Sequence, residues 1–302
     1  MIDFALLSFF LLLAPSTRAA SDPFADAKTA YEAGNYDQAV KLLRAMADQG
    51  SDEAQYKLGI LYGNGRGVPR DYAEALKWYS KAAAQGSQTA ANNLGVMYYE
   101  GRGVKKDDAQ ALKWYLQAAG KGDPTASGNV GNMYFWGRGV AKNYEEAARW
   151  YLKAAEDDDA YAQNNLGYLY EHGLGVKRDY HEAMRWYGEA AKLGHTFAER
   201  NLGVMYEKGE GVIRSYGDAL KWYTKAAEQG HRYAQYKLGH LYERGRGVER
   251  NLPEAYKWYW LASQQGSKAA ADGVLRLESV MTAAETAQAK KRAALVPPPR
   301  HD

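Results

Sequence analysis

The chain has 302 residues, of which 39 are basic and 36 acidic, and it contains no cysteine. The formal net charge of +3 gives no electrostatic footprint for nucleic acid, and the lack of cysteine excludes disulfides, thiolate metal sites and cysteine nucleophiles. The length exceeds what one small core requires, whereas an array of repeats has no such limit because each repeat buries its surface against its neighbours.

An apolar segment opens the chain. Residues 4–14 read FALLSFFLLLA, and Pro15 and the small residues of STRAAS follow. A run of about 11 residues is too short to span a bilayer, so we predict a secretory signal peptide over residues 1–19. Asp3 stands where a basic residue is usual, and a buried first helix is the alternative. The signal peptide predicts a periplasmic or secreted protein with no stable membrane insertion after its removal.

Six copies of a 36-residue unit fill residues 52–267, and an incomplete copy over residues 24–51 is expected to cap the array. A Leu-Gly pair marks each copy, with Val-Gly in the third. Since no insertion interrupts the spacing, the units are expected to stack with one geometry. The pairs are Leu58/Gly59, Leu94/Gly95, Val130/Gly131, Leu166/Gly167, Leu202/Gly203 and Leu238/Gly239.

Each unit predicts two antiparallel helices. In the first complete unit, Ala54, Leu58 and Leu61 form an apolar stripe with helical spacing, which we call helix A. Gly59 costs about 1 kcal/mol of helix propensity relative to Ala, so its recurrence indicates close approach of the partner helix. The glycines of the following loop, GNGRGV, permit the positive φ angles that end a helix.

A second helix, helix B, follows the loop. Asp71 is a residue type favoured at a helix N-cap, and Gly86 stands at the expected end. A Trp-Tyr pair recurs in each helix B, and these large rings are expected to pack against small Ala and Gly positions. The pairs are Trp78/Tyr79, Trp114/Tyr115, Trp150/Tyr151, Trp186/Tyr187, Trp222/Tyr223 and Trp258/Tyr259.

The pattern changes after residue 267. Residues 268–296 contain helical patterns without the glycine loop, including an Ala-rich stretch over 281–295, and predict capping helices at the C-terminal end. Residues 297–302 begin with three prolines and predict a disordered tail.

The recurring pattern A-x-x-x-L-G-x-x-Y-x-x-G-x-G-V, followed by W-Y and A-A, resembles the SEL-one-like repeat (SLR) family, a branch of the tetratricopeptide superfamily. The resemblance implies an all-α fold, a right-handed α/α superhelical solenoid of antiparallel helix pairs that acts as an interaction scaffold. It implies no catalytic residue, and fold alone is weak evidence for function.

Two departures from the pattern stand out. Residues 157–159 are three consecutive aspartates where other units have a glycine-containing turn, and Asp tolerates the left-handed conformation better than most residues. Trp136 occupies a position that is polar in the other units. It either packs on a neighbouring loop or contacts a partner.

The resemblance also implies a partner-binding surface, because helix A lines the concave face of tetratricopeptide-type arrays. Tyrosine offers a wide contact area at low entropic cost, and asparagine can bond an extended backbone. The alternative is that several of these tyrosines pack between the first helices of adjacent units. The implied residues are Tyr56, Asn92, Tyr99, Asn132, Phe135, Tyr161, Asn164, Tyr168, Phe197, Arg200, Tyr233, Tyr236 and His240.

Catalytic and metal-binding patterns were sought in the same sequence. The six histidines show no His-Glu-x-x-His spacing, so we expect surface histidines, no metal and no cofactor. The glycine loops follow helices rather than strands, which does not support a phosphate site, and no G-x-S-x-G motif occurs. The sequence therefore predicts a protein that is not an enzyme.

The first functional hypothesis is a monomeric periplasmic scaffold that binds another protein and no nucleic acid. It has two versions, an immunity protein against a secreted type VI effector such as a phospholipase, or a regulator of an envelope sensor or assembly machine. The rival is a binder or hydrolase of cell-wall fragments or β-lactams. Relatives linked to β-lactams are cysteine-rich, which this chain is not. A role in virulence at the host surface remains a third reading.

Overall fold

The computed structural model describes residues 22–296, so the predicted signal peptide (1–19) and the predicted tail (297–302) lie outside the described residues. The described residues form sixteen helices and no strand, which confirms the all-α class. They divide into two compact units. The first contains residues up to 97 together with 101–105, and the second contains residues 98–100 and those from 106 onward.

In the first unit, each of the first three helices packs against the next in the chain. The fifth helix begins in this unit, and its last three residues belong to the second. These helices are α1 (Pro23–Glu32), α2 (Tyr36–Asp48), α3 (Asp52–Asn64), α4 (Tyr72–Ala84) and α5 (Gln88–Glu100).

The second unit repeats the same arrangement, since consecutive helices from the sixth to the fifteenth pack against each other and the fourteenth also contacts the sixteenth. The last two helices lie within the segment predicted to cap the array. The helices are α6 (Asp108–Ala119), α7 (Pro124–Trp136), α8 (Tyr144–Glu156), α9 (Ala160–His172), α10 (Tyr180–Lys192), α11 (Thr196–Lys208), α12 (Tyr216–Glu228), α13 (Arg232–Arg244), α14 (Leu252–Gln264), α15 (Lys268–Glu278) and α16 (Ala283–Ala293).

In five of the repeats, the glycine of helix A lies against the tyrosine of its own helix B. A Cβ built on Gly131 would lie 2.6 Å from Cδ1 of Tyr151, and one on Gly203 would lie 2.6 Å from Cδ1 of Tyr223. A real Cβ does not approach an aromatic carbon so closely, because the atoms would overlap. The close approach predicted from the sequence is therefore confirmed, and the glycine makes room for a buried ring.

Turns and caps follow the residue types. Gly65 ends α3 with φ of 67°, and the Asp71 side chain caps α4 by accepting hydrogen bonds from the backbone amides of Ala73 and Glu74 at 2.9 and 3.0 Å. Asp158 has φ of 59°, and it is the single residue other than glycine with positive φ in the described chain. The aspartate turn keeps the conformation that glycine gives elsewhere.

The core consists of alternating large and small side chains. In the second unit, the buried ring of Tyr151 and the indole of Trp186 belong to a cluster with Leu166, Leu169 and alanines of α8 and α9. Because alanine side chains are short, the rings of the neighbouring helix can approach closely and fill the space. This packing fixes the direction of every helix A and thereby the side chains that it presents to solvent.

Candidate functional site

Three exposed aromatic side chains recur at the same position of successive helices A in the second unit. Tyr161, Phe197 and Tyr233 are each the second residue of their helices, α9, α11 and α13, and are 56%, 52% and 43% exposed. A helix start is held in place by its cap, so these rings stand on rigid positions rather than on loops. Their repetition places an exposed aromatic ring at the start of three successive helices A.

Two imidazoles lie between these rings. The His195 ring centroid is 4.7 Å from that of Tyr161 and 6.0 Å from that of Phe197, and the His231 centroid is 5.1 Å from that of Phe197. We call Tyr161, His195, Phe197, His231 and Tyr233 the aromatic column. Edge-to-face contacts of this kind favour ordered rings.

Both histidines also cap helices, which corrects the expectation that they are surface residues. His195 and His231 accept hydrogen bonds through Nδ1 from the amides of Ala198 (3.3 Å) and Ala234 (3.2 Å). They are partly buried at positions where other repeats have serine or aspartate. The N-cap residues of helices A recur every 36 residues, and this spacing could have revealed the capping role. The series is Ser51, Ser87, Asp123, Asp159, His195, His231 and Ser267.

Arg200 lies beside the column on α11. Its guanidinium carbon is 5.9 Å from the ring centroid of Tyr233. Within the described chain Arg200 makes no ion pair or hydrogen bond, and its Nε is buried without a partner. Burial, and then the positive charges of Arg200 and Arg232, lower the pKa of His231 to about 4. His231 is therefore neutral at physiological pH, and the guanidinium of Arg200 lies near it.

Amides and a further tyrosine of the predicted set lie on the same helices. Asn201 Nδ2 donates to Asn164 Oδ1 at 3.0 Å, and Asn164 Nδ2 donates to Asn165 at 3.3 Å. Tyr168 is partly exposed and stacks on His172, with ring centroids 4.1 Å apart. Asn164 thus already uses part of its bonding capacity inside the protein, whereas Tyr168 is accessible on one side.

The remaining predicted residues of the second unit contact the protein itself. Phe135 packs against Tyr144, with ring centroids 5.2 Å apart, and Asn132 accepts a 2.7 Å hydrogen bond from the Tyr151 hydroxyl. Tyr236 packs against Tyr259 at 5.9 Å. These contacts are with helix B of the same hairpin, whereas the alternative prediction concerned tyrosines that pack between helices A of adjacent units.

Four more predicted residues are partly buried as well. His240 lies on α13, and burial, followed by the charge of Lys237, lowers its pKa. Tyr99 accepts a hydrogen bond from the Arg138 guanidinium. In the first unit, Tyr56 packs against Tyr79 with centroids 5.9 Å apart, and Asn92 is partly buried. The structure thus brings the exposed members of the predicted set together at the column, around α9, α11 and α13.

A cleft with a different lining occurs earlier in the second unit. A cavity of about 230 Å³ is bordered by three aromatic rings, two amides and a guanidinium. Trp136, at 62% exposure, is the most exposed aromatic side chain among the large hydrophobic residues of the described chain. Sequence reasoning singled out Trp136 but gave no sign of the cavity. Its lining includes Tyr99, Tyr115, Asn129, Asn132, Trp136 and Arg138.

Two negative findings restrict the chemistry of the described residues. Among residues 22–296, no group of three or more His, Asp or Glu side chains is placed to hold a metal ion. Across the same residues, no helix combines the length and apolar character needed to cross a bilayer.

The geometry defines a class, that of helical-hairpin repeat scaffolds, in which stacked helix pairs present side chains along one face. The chain belongs to the Sel1 repeat family. The family model matches seven segments, residues 30–51, 52–87, 88–123, 125–159, 160–195, 196–231 and 232–267. This confirms the predicted family. The scaffold fits a role in protein–protein interaction, and Sel1 repeat proteins are generally non-catalytic.

Two solved structures are similar to this chain. A Sel1 repeat protein from Oxalobacter formigenes is 36% identical, with a TM-score of 0.74, over 80% of this chain and 99% of that one. A protective antigen of uropathogenic Escherichia coli strains, which displays an SLR fold, is 35% identical with a TM-score of 0.63. That match covers 90% of this chain and 69% of the antigen. The search of curated proteins gave no match.

Proposed function

We propose that the protein is a non-enzymatic scaffold that binds another protein through the aromatic column and Arg200. The exposure of Tyr161, Phe197 and Tyr233 at successive repeats carries this proposal. Contiguous apolar surface of this kind marks interaction sites, and aromatic residues and arginine dominate the energetics of protein interfaces. The rings have only two side-chain torsions each and stand on capped helices, so little entropy is lost when a partner binds.

Affinity capture from envelope extract tests the proposal when wild type is compared with the triple variant Tyr161→Ala, Phe197→Ala, Tyr233→Ala. We expect the triple variant to lose a protein that wild type retains, because about 2 kcal/mol is lost at each important anchor. Ile213→Ala is the matched control, since Ile213 is 88% exposed and lies outside the column. Equal capture by wild type and the triple variant would contradict the assignment of this face.

We further propose that the protein acts in the periplasm. The support is the apolar run over residues 4–14 and the small residues that follow it. Mass spectrometry of protein from the periplasmic fraction should then give a mature chain beginning at Ala20. Recovery of chains that retain residues 1–19 in the cytoplasmic fraction would contradict export.

Two versions of the partner follow from the resemblance noted in the sequence. In the first, the scaffold is an immunity protein against a type VI effector such as a phospholipase. In the second, it regulates an envelope sensor or assembly machine. Expression of the scaffold together with a toxin encoded beside it should restore growth in the first version. If growth is not restored and capture instead recovers an envelope component, the second version is favoured.

The cleft at Trp136 favours a second candidate function, the binding of cell-wall fragments or β-lactams. Its volume of about 230 Å³ is below the ~300–1,000 Å³ of most drug-sized sites, so a single ring would fill it. Aromatic walls suit the apolar face of such a ring, and amides supply polar contacts. Calorimetry with purified muropeptides should show binding that Trp136→Ala removes, and no heat with wild type would exclude this function.

A further inference from the structure

We infer that the aromatic column binds an extended segment of the partner with apolar side chains at every third residue and a carboxylate beside Arg200. This inference rests on the proposed function, since it specifies the partner that the same face would hold. Three observations support it. They are the spacing of the rings, the Arg200 guanidinium without an ion pair, and the nearby glutamates that already have partners within the protein.

The ring spacing matches an extended chain. Tyr161 and Phe197 are joined by two centroid steps through His195, of 4.7 and 6.0 Å. Three residues of a polyproline II chain make one turn and span about 9 Å, so every third side chain faces the same way and can meet the next ring of the column. The equivalent of the first step, from Phe197 to His231, is 5.1 Å, and Tyr233 follows His231 in the 36-residue register. A helical segment rises only about 1.5 Å per residue and would need nearly seven residues for the same step.

Arg200 provides the charged contact. Its guanidinium carbon lies 5.9 Å from the ring centroid of Tyr233, and its Nε is a buried donor without a partner in the described residues. A buried donor left unsatisfied is costly, and native proteins usually satisfy such groups with water, an ion or a ligand. A guanidinium holds a carboxylate through paired, charge-assisted hydrogen bonds.

Two glutamates on α9 and α11 already have partners within the protein. Glu171 accepts a 2.6 Å hydrogen bond from the Tyr187 hydroxyl. Glu207 accepts one of 2.7 Å from Tyr223 and pairs with Lys237 at 2.7 Å. Glu171 and Glu207 thus have other partners, and no ion pair joins Arg200 to a carboxylate in the described residues. An acidic side chain from the partner complements that charge.

Synthetic peptides test the inference with the full mature chain. Two blocked, fluorescent peptides carry Leu at every third position, with Asp between the first and second Leu in one and between the second and third in the other. Two further peptides carry Asn in place of Asp. Using both placements covers both directions in which a segment can lie on the column. Fluorescence anisotropy gives the dissociation constants.

We expect one Asp peptide to bind wild type about 10- to 100-fold more tightly than its Asn counterpart, the range expected for a charged hydrogen bond. Arg200→Gln should abolish this preference and leave the affinity of the Asn peptide unchanged. Arg149→Gln is the matched control, because Arg149 pairs with Glu145 and Glu146 on a helix B surface, and it should retain the preference. Circular dichroism verifies that both variants fold.

Three results would overturn the inference: equal affinity of Asp and Asn peptides for wild type, a preference that survives Arg200→Gln, or binding of no peptide. The first comparison uses unmodified protein, so a folding defect cannot imitate its outcome. Capture of a partner that depends on Tyr161, Phe197 and Tyr233 but not on Arg200 would leave the proposed function standing without this inference. Loss of column dependence in capture would remove both.

Discussion

Two regions of the second unit, three repeats apart, use corresponding positions in different ways. Beside Tyr115, the side chains of Tyr99 and Asn129 border an open cavity of about 230 Å³. The 36-residue register places Tyr223 and Glu207 at the positions of Tyr115 and Tyr99. There the Tyr223 hydroxyl donates to a Glu207 oxygen at 2.7 Å.

In the later region, an ion pair occupies the positions that border the cavity in the earlier one. Lys237 occupies the position of Asn129 and pairs with Glu207 at 2.7 Å, with both side chains mostly buried. One repeat further on, Glu243 accepts from Tyr259 at 2.7 Å and pairs with Arg276 at 2.8 Å. The hairpin thus fixes the tyrosine in every repeat. The side chains that face this tyrosine determine whether the space beside it is an open cleft or is occupied by an ionic network.

Removal of the tyrosine ring should produce the largest difference between the two regions in the free energy of unfolding. Tyr223→Ala should lower the free energy of unfolding by about 3–5 kcal/mol, because it leaves a cavity and removes the partner of Glu207. Tyr115→Ala should cost about 1–2 kcal/mol less, since that ring already borders open space. Urea unfolding followed by circular dichroism measures both. Equal losses would show that the ionic network adds nothing to the later region.

Acid should weaken the later repeats through His231. Its pKa in the folded chain, about 4, lies below the ordinary value near 6.5, so the unfolded chain binds a proton that the folded chain does not. Stability should therefore fall as pH decreases from 7 to 4, by up to about 3 kcal/mol.

The matched variant for this prediction is His231→Ser, since serine caps the equivalent helices at Ser51, Ser87 and Ser267. The variant keeps a capping oxygen and loses the titrating group. We measure the stability of both proteins at pH 7, 5.5 and 4.5. As pH falls, the variant should become progressively more stable relative to wild type. A constant difference would contradict a neutral, buried His231.

The ion pair of the later region should contribute a measurable coupling energy. A double-mutant cycle with Glu207→Gln and Lys237→Met should give about 1–2 kcal/mol, because both groups are mostly buried and hydrogen-bonded. The exposed pair of Glu145 and Arg149 is the control, with coupling below about 1 kcal/mol that salt removes. If the two cycles agree, burial does not distinguish the regions.

The smallest effect is expected at the rim of the open cleft. Trp136→Ala should change the free energy of unfolding by less than about 0.5 kcal/mol, because the indole is largely solvent-exposed. Thermal unfolding of wild type and variant provides the measurement. A loss of more than about 1 kcal/mol would identify Trp136 as a packing residue and would weaken the case for a ligand at the cleft.

The sequence predicted the hairpins well because their determinants are local. Gly131 makes room for Tyr151, Asp71 caps its helix, and Asp158 takes a left-handed turn. Each effect depends on residue type and on spacing along the chain. The spacing was visible because it recurs every 36 residues.

The site was predicted less fully because the exposure of a side chain depends on its position around the helix and on the helix packed against it. Tyr161 and Tyr236 both lie on a helix A, yet one is exposed and the other packs on Tyr259. The capping role of His231 was missed because histidine is uncommon at that position, and only comparison with the serine caps identifies it. Binding by any of the predicted residues remains a prediction.

The uninterrupted register of the capping residues has a consequence for how such a chain can change length. Ser87 and Asp159, 72 residues apart, begin equivalent helices, so excision of a whole number of units joins two ends that already fit each other. A deletion of any other size would bring a ring where a glycine must stand. Growth and shrinkage of the array by whole repeats therefore require no new packing solution.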